Sequence, residues 1–243
     1  MAEDTRTLRG GLPFYGFDVG ILLLNNDTPR PVGDIGHAAT WGFPVLYEVV
    51  APAAPDLVVE RAAEGLLPDF MAGARRLERA GVRAITTACG FLAIYQQELA
   101  EAVNVPVATS SLLQIPQALR LISPGRRVCV LTINASTLDH RHFAGAGVGP
   151  ELLDRITVVG LEKSRHLYPA LIQGARMLDV AAAEREMVDA ATRAVEEDES
   201  IGAFVVECTN MPPYSAAVRA ATGRPVWDVV TLVHSLHSAV VRS

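Results

Sequence analysis

The chain has 243 residues, half of them apolar and only 6% aromatic, which is ample for a packed core in one large domain or two small ones and excludes a disordered polymer. Lys and Arg number 21 against 27 Asp and Glu, a formal charge of -6, and the scattered basic residues form no stripe, so no nucleic-acid partner is expected. No apolar run approaches the roughly 20 residues of a membrane span, "MAEDTRTLRGG" lacks the apolar stretch of a signal peptide, and three cysteines without a Cys-x-x-Cys pair suit neither a disulfide framework nor zinc, so the expectation is a cytoplasmic protein with reduced thiols and no membrane partner.

After the polar leader, "FDVGILLLN" (17–25) is a continuous apolar run, the pattern of a strand covered on both faces and therefore of a parallel sheet. Residues 26–44 are dense in Pro, Gly and Asp and predict a long loop at the carboxyl end of that strand. Arg30 is the strong cation of this loop, and its planar guanidinium suits a substrate carboxylate, whereas Asp34 and His37 serve equally well as loop caps. A second strand follows at 45–50 and a helix at 67–81, with Pro68 in its first turn, Phe70, Ala74 and Leu77 on one face and Gly81 as its stop. Then come a strand (85–88), a helix (91–103), a strand (105–109) and a helix (111–122) bent at Pro116, and "SPGRR" (123–127) reads as a joint between lobes.

The second half repeats the alternation. Strands at 127–133 and 156–162 precede a long helix (179–198) capped by Asp179, and a strand at 201–207 leads to a helix opened by Pro212 and Pro213 and stopped at Gly223. "PVWDV" (225–229) predicts a strand before a last helix. "DHRH" (139–142) is read as a polar helix surface rather than a metal cluster, "GAGVG" (145–149) as a flexible turn rather than a phosphate loop, and Cys129 as core. Tyr95, Tyr214, His234 and His237 are read as packing or surface residues.

Sliding the chain so that Cys89 lies on Cys208 (208 minus 89, an offset of 119) superposes two strand-helix-strand segments without a gap. Tyr95 then meets Tyr214, Pro106 meets Pro225, Val107 meets Val226 and Thr109 meets Asp228, which reads as two related lobes. Open parallel sheets bind ligands beyond the carboxyl ends of their strands, so both thiols belong on the functional edges of their lobes. A thiol at a helix start gains from backbone N–H groups and the helix dipole, which favour the thiolate. Two such thiols, one protonated and one not, suit removal of a proton from one side of a carbon and its return on the other. The carbanion would be held by the amides that follow each cysteine, at Gly90 and Phe91 in the first lobe, and by Thr109, Ser110, Thr132, Asn134, Thr209 and Asn210 at strand ends. For Thr109, Ser110, Thr132 and Asn134 helix capping explains the residues equally well. Glu207 and Asp228 add negative potential to the second lobe and disfavour a second substrate carboxylate there, which leaves an N–H-bearing substrate.

"TTACGFLA" around Cys89 and "VVECTNMPPY" around Cys208, with the spacing between them, resemble the aspartate/glutamate racemase superfamily over nearly the whole chain. The amino-acid racemases carry Cys-Asn-Thr at the first thiol, where this chain has Cys89-Gly90-Phe91. The resemblance implies an α/β fold of two pseudo-symmetric flavodoxin-like lobes with parallel sheets and an active-site cleft between them. It implies lobes at 1–122 and 123–229, with the last helix (230–243) packing back on the first. It further implies an isomerase of the racemase or epimerase type with Cys89 and Cys208 as catalytic residues, no cofactor, no metal, a small-molecule substrate such as an amino acid or hydantoin, and a homo-oligomer. Two alternatives stand beside it: maleate isomerase-like or decarboxylase/lyase chemistry with a cysteine nucleophile or proton donor, and a non-catalytic ligand-binding protein.

Overall fold

The computed structural model describes residues 10–241, so residues 1–9 of the leader and the last two residues lie outside the described residues. Among the described residues eight strands are formed: β1 (Val19–Leu24), β2 (Val45–Val50), β3 (Ala84–Thr87), β4 (Val107–Ala108), β5 (Arg127–Thr132), β6 (Ile156–Gly160), β7 (Ile201–Val206) and β8 (Val226–Trp227). They make two four-stranded sheets of identical topology, in the order β2-β1-β3-β4 and β6-β5-β7-β8, with every pair parallel. The apolar runs that signalled β1 and β5 are central strands. Leu22 stands between Glu48 and Thr87, and Leu131 between Val159 and Val206. Helices cover both faces of such a sheet, which is why the strands do not alternate apolar with polar.

The helix Leu67–Arg79 buries Phe70, Gly73, Ala74 and Leu77 against the first sheet. It lies close, since a Cβ on Gly20 would come 2.9 Å from Leu77 Cδ1. In the second lobe the helix Val180–Glu197 starts where the Asp179 carboxylate accepts the Ala182 amide at 3.0 Å, and it buries a stripe that includes Ala183, Met187, Ala190 and Ala194. Gly223 ends the helix Ser215–Thr222 in the left-handed conformation, φ +65°. The final helix, Val229–Val240, crosses over: Val229 and Val233 pack with Val19 and Ile21 of β1 and with Ile35, Trp41 and Ala88.

Several expectations are corrected. The helix expected over 91–103 is a 3-10 helix, Gly90–Tyr95, followed by a short α-helix, Gln96–Glu101. At the junction the Gln96 side chain turns to the sheet, accepting from the Thr109 amide and hydroxyl and donating to the Val107 carbonyl. The helix expected over 111–122 likewise divides into Ser111–Gln114 and Ile115–Leu121, and Pro116 opens the α-helical part instead of bending it, because a missing N–H is harmless in a first turn. Asp228 is not in β8 but caps the last helix in a capping box with Thr231. His142 is fully buried, not on a polar surface: it completes a capping box with Asp139 at the start of the helix His140–Gly145, and its ring forms a T-shaped pair with Phe91, centroids 5.1 Å apart. Short helices at Pro55–Val59, Pro150–Leu153 and Leu167–Leu171 were not foreseen. Among the described residues no helix is long and apolar enough to cross a membrane.

Candidate active site

In each sheet the strand order reverses direction between the first and third strands of its lobe, β1 and β3 or β5 and β7. That switch point is where open α/β sheets hold ligands. One cavity is lined from both switch points at once. Leu24 and Asn26 come from the end of β1, Ala88, Cys89, Gly90 and Phe91 from that of β3, Ile133 from that of β5, and Glu207, Cys208, Thr209 and Asn210 from that of β7. Pro55, Val59, Leu171 and Ile172, on two of the unforeseen short helices and their ends, complete the wall. Only ≈ 20 Å³ is open to the centre of a water molecule, room for about one water. The cavity between the switch points is therefore narrow.

Cys89 and Cys208 both face this cavity and are only 8% exposed. The offset that superposes them also superposes Phe91 on Asn210, and these are the residues whose backbone amides act on the two thiols. The expectation of easily formed thiolates is nonetheless overturned. Burial pushes both thiols well above the ordinary range, the charge of Glu207 adds to the effect, and a single amide at each sulfur does not offset it. Cys129, in the middle of β5, is fully buried and pushed up to about 12 by burial, and it is away from the cavity.

Of the residues singled out in the sequence, the fold brings Cys89, Gly90, Phe91, Cys208, Thr209 and Asn210 together on the cavity wall. Thr209 Oγ1 is buried and has no hydrogen-bond partner among the described residues. Arg30 is not on the wall. Its guanidinium pairs with Asp34 at 2.8 Å and donates to Asn26 Oδ1 at 2.8 Å, while Asn210 Nδ2 donates to the other Asp34 oxygen at 2.6 Å. Arg30 thus holds two cavity residues in place, Asn26 directly and Asn210 through Asp34. Thr109 is engaged by Gln96, Ser110 caps the helix that follows it, and Asn134 accepts from the Ser136 amide and hydroxyl. Thr132 donates to Glu207 Oε2 at 2.7 Å. None of these four lines the cavity.

Sequence reasoning missed Asn26 and took Glu207 only as background charge. Asn26 carried a readable signal, a polar residue just beyond the β1 run. Glu207 is fully buried, is held up to about 8 by desolvation although the Thr132 hydrogen bond opposes this, and leaves Oε1 without a hydrogen-bond partner among the described residues. Among the described residues no group of three His, Cys, Asp or Glu stands together as a metal site. The cavity wall carries no Lys, Arg or His.

The profile of the family described as Asp/Glu/Hydantoin racemase matches residues 45–235. Dimethylsulfoniopropionate lyase 3 of Emiliania huxleyi (strain CCMP1516) is 31% identical over 235 residues, which is 92% of this chain and 60% of the lyase, so the chain spans less than two thirds of that relative. Among solved structures, arylmalonate decarboxylase superposes with a TM-score of 0.56 at 15% identity, over 91% of this chain and 92% of that one. An aspartate racemase homologue from Pyrococcus horikoshii OT3 superposes with a TM-score of 0.55 at 16% identity, over 92% and 98%. At such identities the structural matches establish the two-lobed fold.

Proposed function

The chain belongs to the Asp/Glu/hydantoin racemase family, and we propose that within it this protein is a lyase that removes the α-proton of a small carboxylate and expels a neutral leaving group from the β-carbon. The proposed substrate class is a sulfonium carboxylate of the kind named for its lyase relatives. The observation that carries the reading is the placing of both thiols on one tight, mostly apolar cavity whose wall has a carboxyl group and no cationic side chain. A substrate bearing a positive sulfonium suits a wall that carries no competing cation.

In this reading the thiolate of one cysteine takes the α-proton. The C–H electron pair passes into the carboxylate, for which the hydroxyl of Thr209 on the cavity wall is the candidate donor. The same pair then forms the carbon–carbon double bond as the β-carbon–sulfur bond breaks, and the sulfur leaves with its electrons as a neutral thioether. The departing group needs no proton, so one thiol suffices for the chemistry. The pseudo-symmetric second thiol favours racemisation as the rival reading, because a proton returned to the opposite face needs a donor there.

Incubation of the purified protein with dimethylsulfoniopropionate in deuterium oxide separates the two. Elimination releases volatile thioether and an unsaturated acid. Racemisation instead places deuterium at the stereocentre of recovered amino acids or hydantoins. Thioether at no more than the uncatalysed rate, together with such labelling, would overturn the lyase reading.

A further inference from the structure

Asp34 reaches the second lobe from the loop after β1 and is fully buried there. The loop is seated tightly: the Ile35 amide donates to the Thr209 carbonyl at 3.3 Å, and a Cβ on Gly33 would come 2.8 Å from Pro213 Cα. One oxygen of the Asp34 carboxylate accepts from Arg30 at 2.8 Å and from the Gly36 amide at 2.7 Å. The other accepts from Asn210 Nδ2 at 2.6 Å, across the lobes.

A carboxylate paired with a guanidinium can only accept, so Asn210 turns its NH2 group to Asp34 and its carbonyl oxygen away from it. That oxygen serves Cys208: the thiol donates to Asn210 Oδ1, with sulfur and oxygen 3.9 Å apart. The first lobe lacks a counterpart, because the offset that lays Cys89 on Cys208 lays Phe91 on Asn210, and a phenyl ring offers no oxygen. An acceptor for the S–H group favours the thiol over the thiolate. We propose that Asp34 is a positioning residue: from the first lobe it orients Asn210 so that the amide oxygen holds the hydrogen of Cys208, and it thereby sets the two thiols apart.

The charged and titratable groups acting on Cys208 are Glu207, which the same offset lays on Ala88, Cys89 on the shared cavity, and Asp34 with its partner Arg30. Loss of the Asp34 charge would favour a thiolate at Cys208 without any change in Asn210, so orientation has to be separated from charge. Asn210→Leu does this, since it keeps the bulk of the side chain and the Asp34 carboxylate and removes only the amide. The inference goes beyond the proposed function, because elimination and racemisation both draw on thiols that differ in their protons.

The sulfurs themselves give the readout. Alkylation by iodoacetamide at about pH 9, close to the range where an ordinary thiol ionises, is followed by peptide mapping, and the rate at Cys208 is divided by the rate at Cys89. Asn210→Leu is expected to raise this ratio by about threefold or more. Asp34→Asn should raise it as well in the wild-type chain and add nothing in the Asn210→Leu background, because the carboxylate acts through the amide. An unmoved ratio in Asn210→Leu overturns the proposal, and so does an Asp34→Asn effect of equal size in both backgrounds. Equal acceleration of both thiols, the mark of a lobe interface that has merely loosened, leaves the ratio unmoved and overturns it too. If circular dichroism shows one variant to be unfolded, the other is read alone, and an unmoved ratio overturns the proposal. Turnover does not enter the readout, so failure of the lyase assay leaves it intact.

Discussion

The hydroxyl of Ser111 donates to the carbonyl of Val206 at 2.5 Å, tying the first residue of the helix Ser111–Gln114 in one lobe to the last residue of β7 in the other. A second tie runs parallel to it: Gln114 Nε2 donates to the Asp228 carbonyl at 2.9 Å, and the Thr231 hydroxyl donates to Gln114 Oε1 at 3.0 Å. Both seams sit at the carboxyl ends of strands, so the contacts that join the lobes also set the spacing of the cavity.

Ser111→Ala removes a buried hydrogen bond and leaves the Val206 carbonyl without this donor. Denaturant unfolding should show a loss of about 1 to 3 kcal/mol. Because Val206 lies two residues before Cys208, turnover should fall as well, and full activity in the variant would show that this tie does not set the thiol spacing.

Gly145, the last residue of the helix His140–Gly145, packs against the carbonyl of Ala93, so that a methyl group there would overlap the oxygen. Gly145→Ala should push this helix away from the 3-10 helix after Cys89 and cost about 1 to 3 kcal/mol in thermal or denaturant unfolding. Activity should fall with it, since Phe91 belongs to the same turn.

Serine in place of the cysteine that acts as base should lower turnover by about a hundredfold or more. In an elimination only one of Cys89→Ser and Cys208→Ser shows that loss in full, whereas both do in a two-base racemase. Cys129→Ser places a hydroxyl in the core and should cost about 1 to 3 kcal/mol of stability while leaving the activity of the folded fraction intact. Equal activity in all three variants would remove the thiols from the mechanism.

Folded Glu207 keeps its proton up to about pH 8, whereas the unfolded chain releases it near the ordinary 4.5. Between these values the folded state binds more protons than the unfolded one, so stability falls as the pH rises through that window. The contribution is complete below the lower value and lost above the upper one. Glu207→Gln should therefore flatten the decline and raise the melting temperature at pH 8 by several degrees, on the order of a few kcal/mol. A parallel decline in both proteins would show that this carboxyl is not the group responsible.

The two thiols were legible because the repeat placed each at the end of a strand, and the carboxyl end of a parallel strand is a functional edge wherever it occurs. Phe91, Thr209 and Asn210 followed from adjacency to them. Arg30 was misread because the partner that occupies it, Asp34, is itself fixed by Asn210, which is distant in sequence and adjacent only once the lobes meet. The ease of ionising the thiols was misjudged for a related reason. A helix start is visible in a sequence, but the depth of burial depends on how tightly the second lobe closes, and here desolvation outweighs the amides. Leu171 and Ile172 escaped notice because a five-residue helix, Leu167–Leu171, is too short to show a period.

The exchange of Ala88 for Glu207 between the two repeats makes the halves of the cavity unlike. A methylene carbon seated between the sulfurs turns one hydrogen to each half, and the two are no longer equivalent, because only one half carries a carboxyl beside its cysteine. A prochiral substrate labelled at one of those hydrogens would keep or lose its label according to which half it faces.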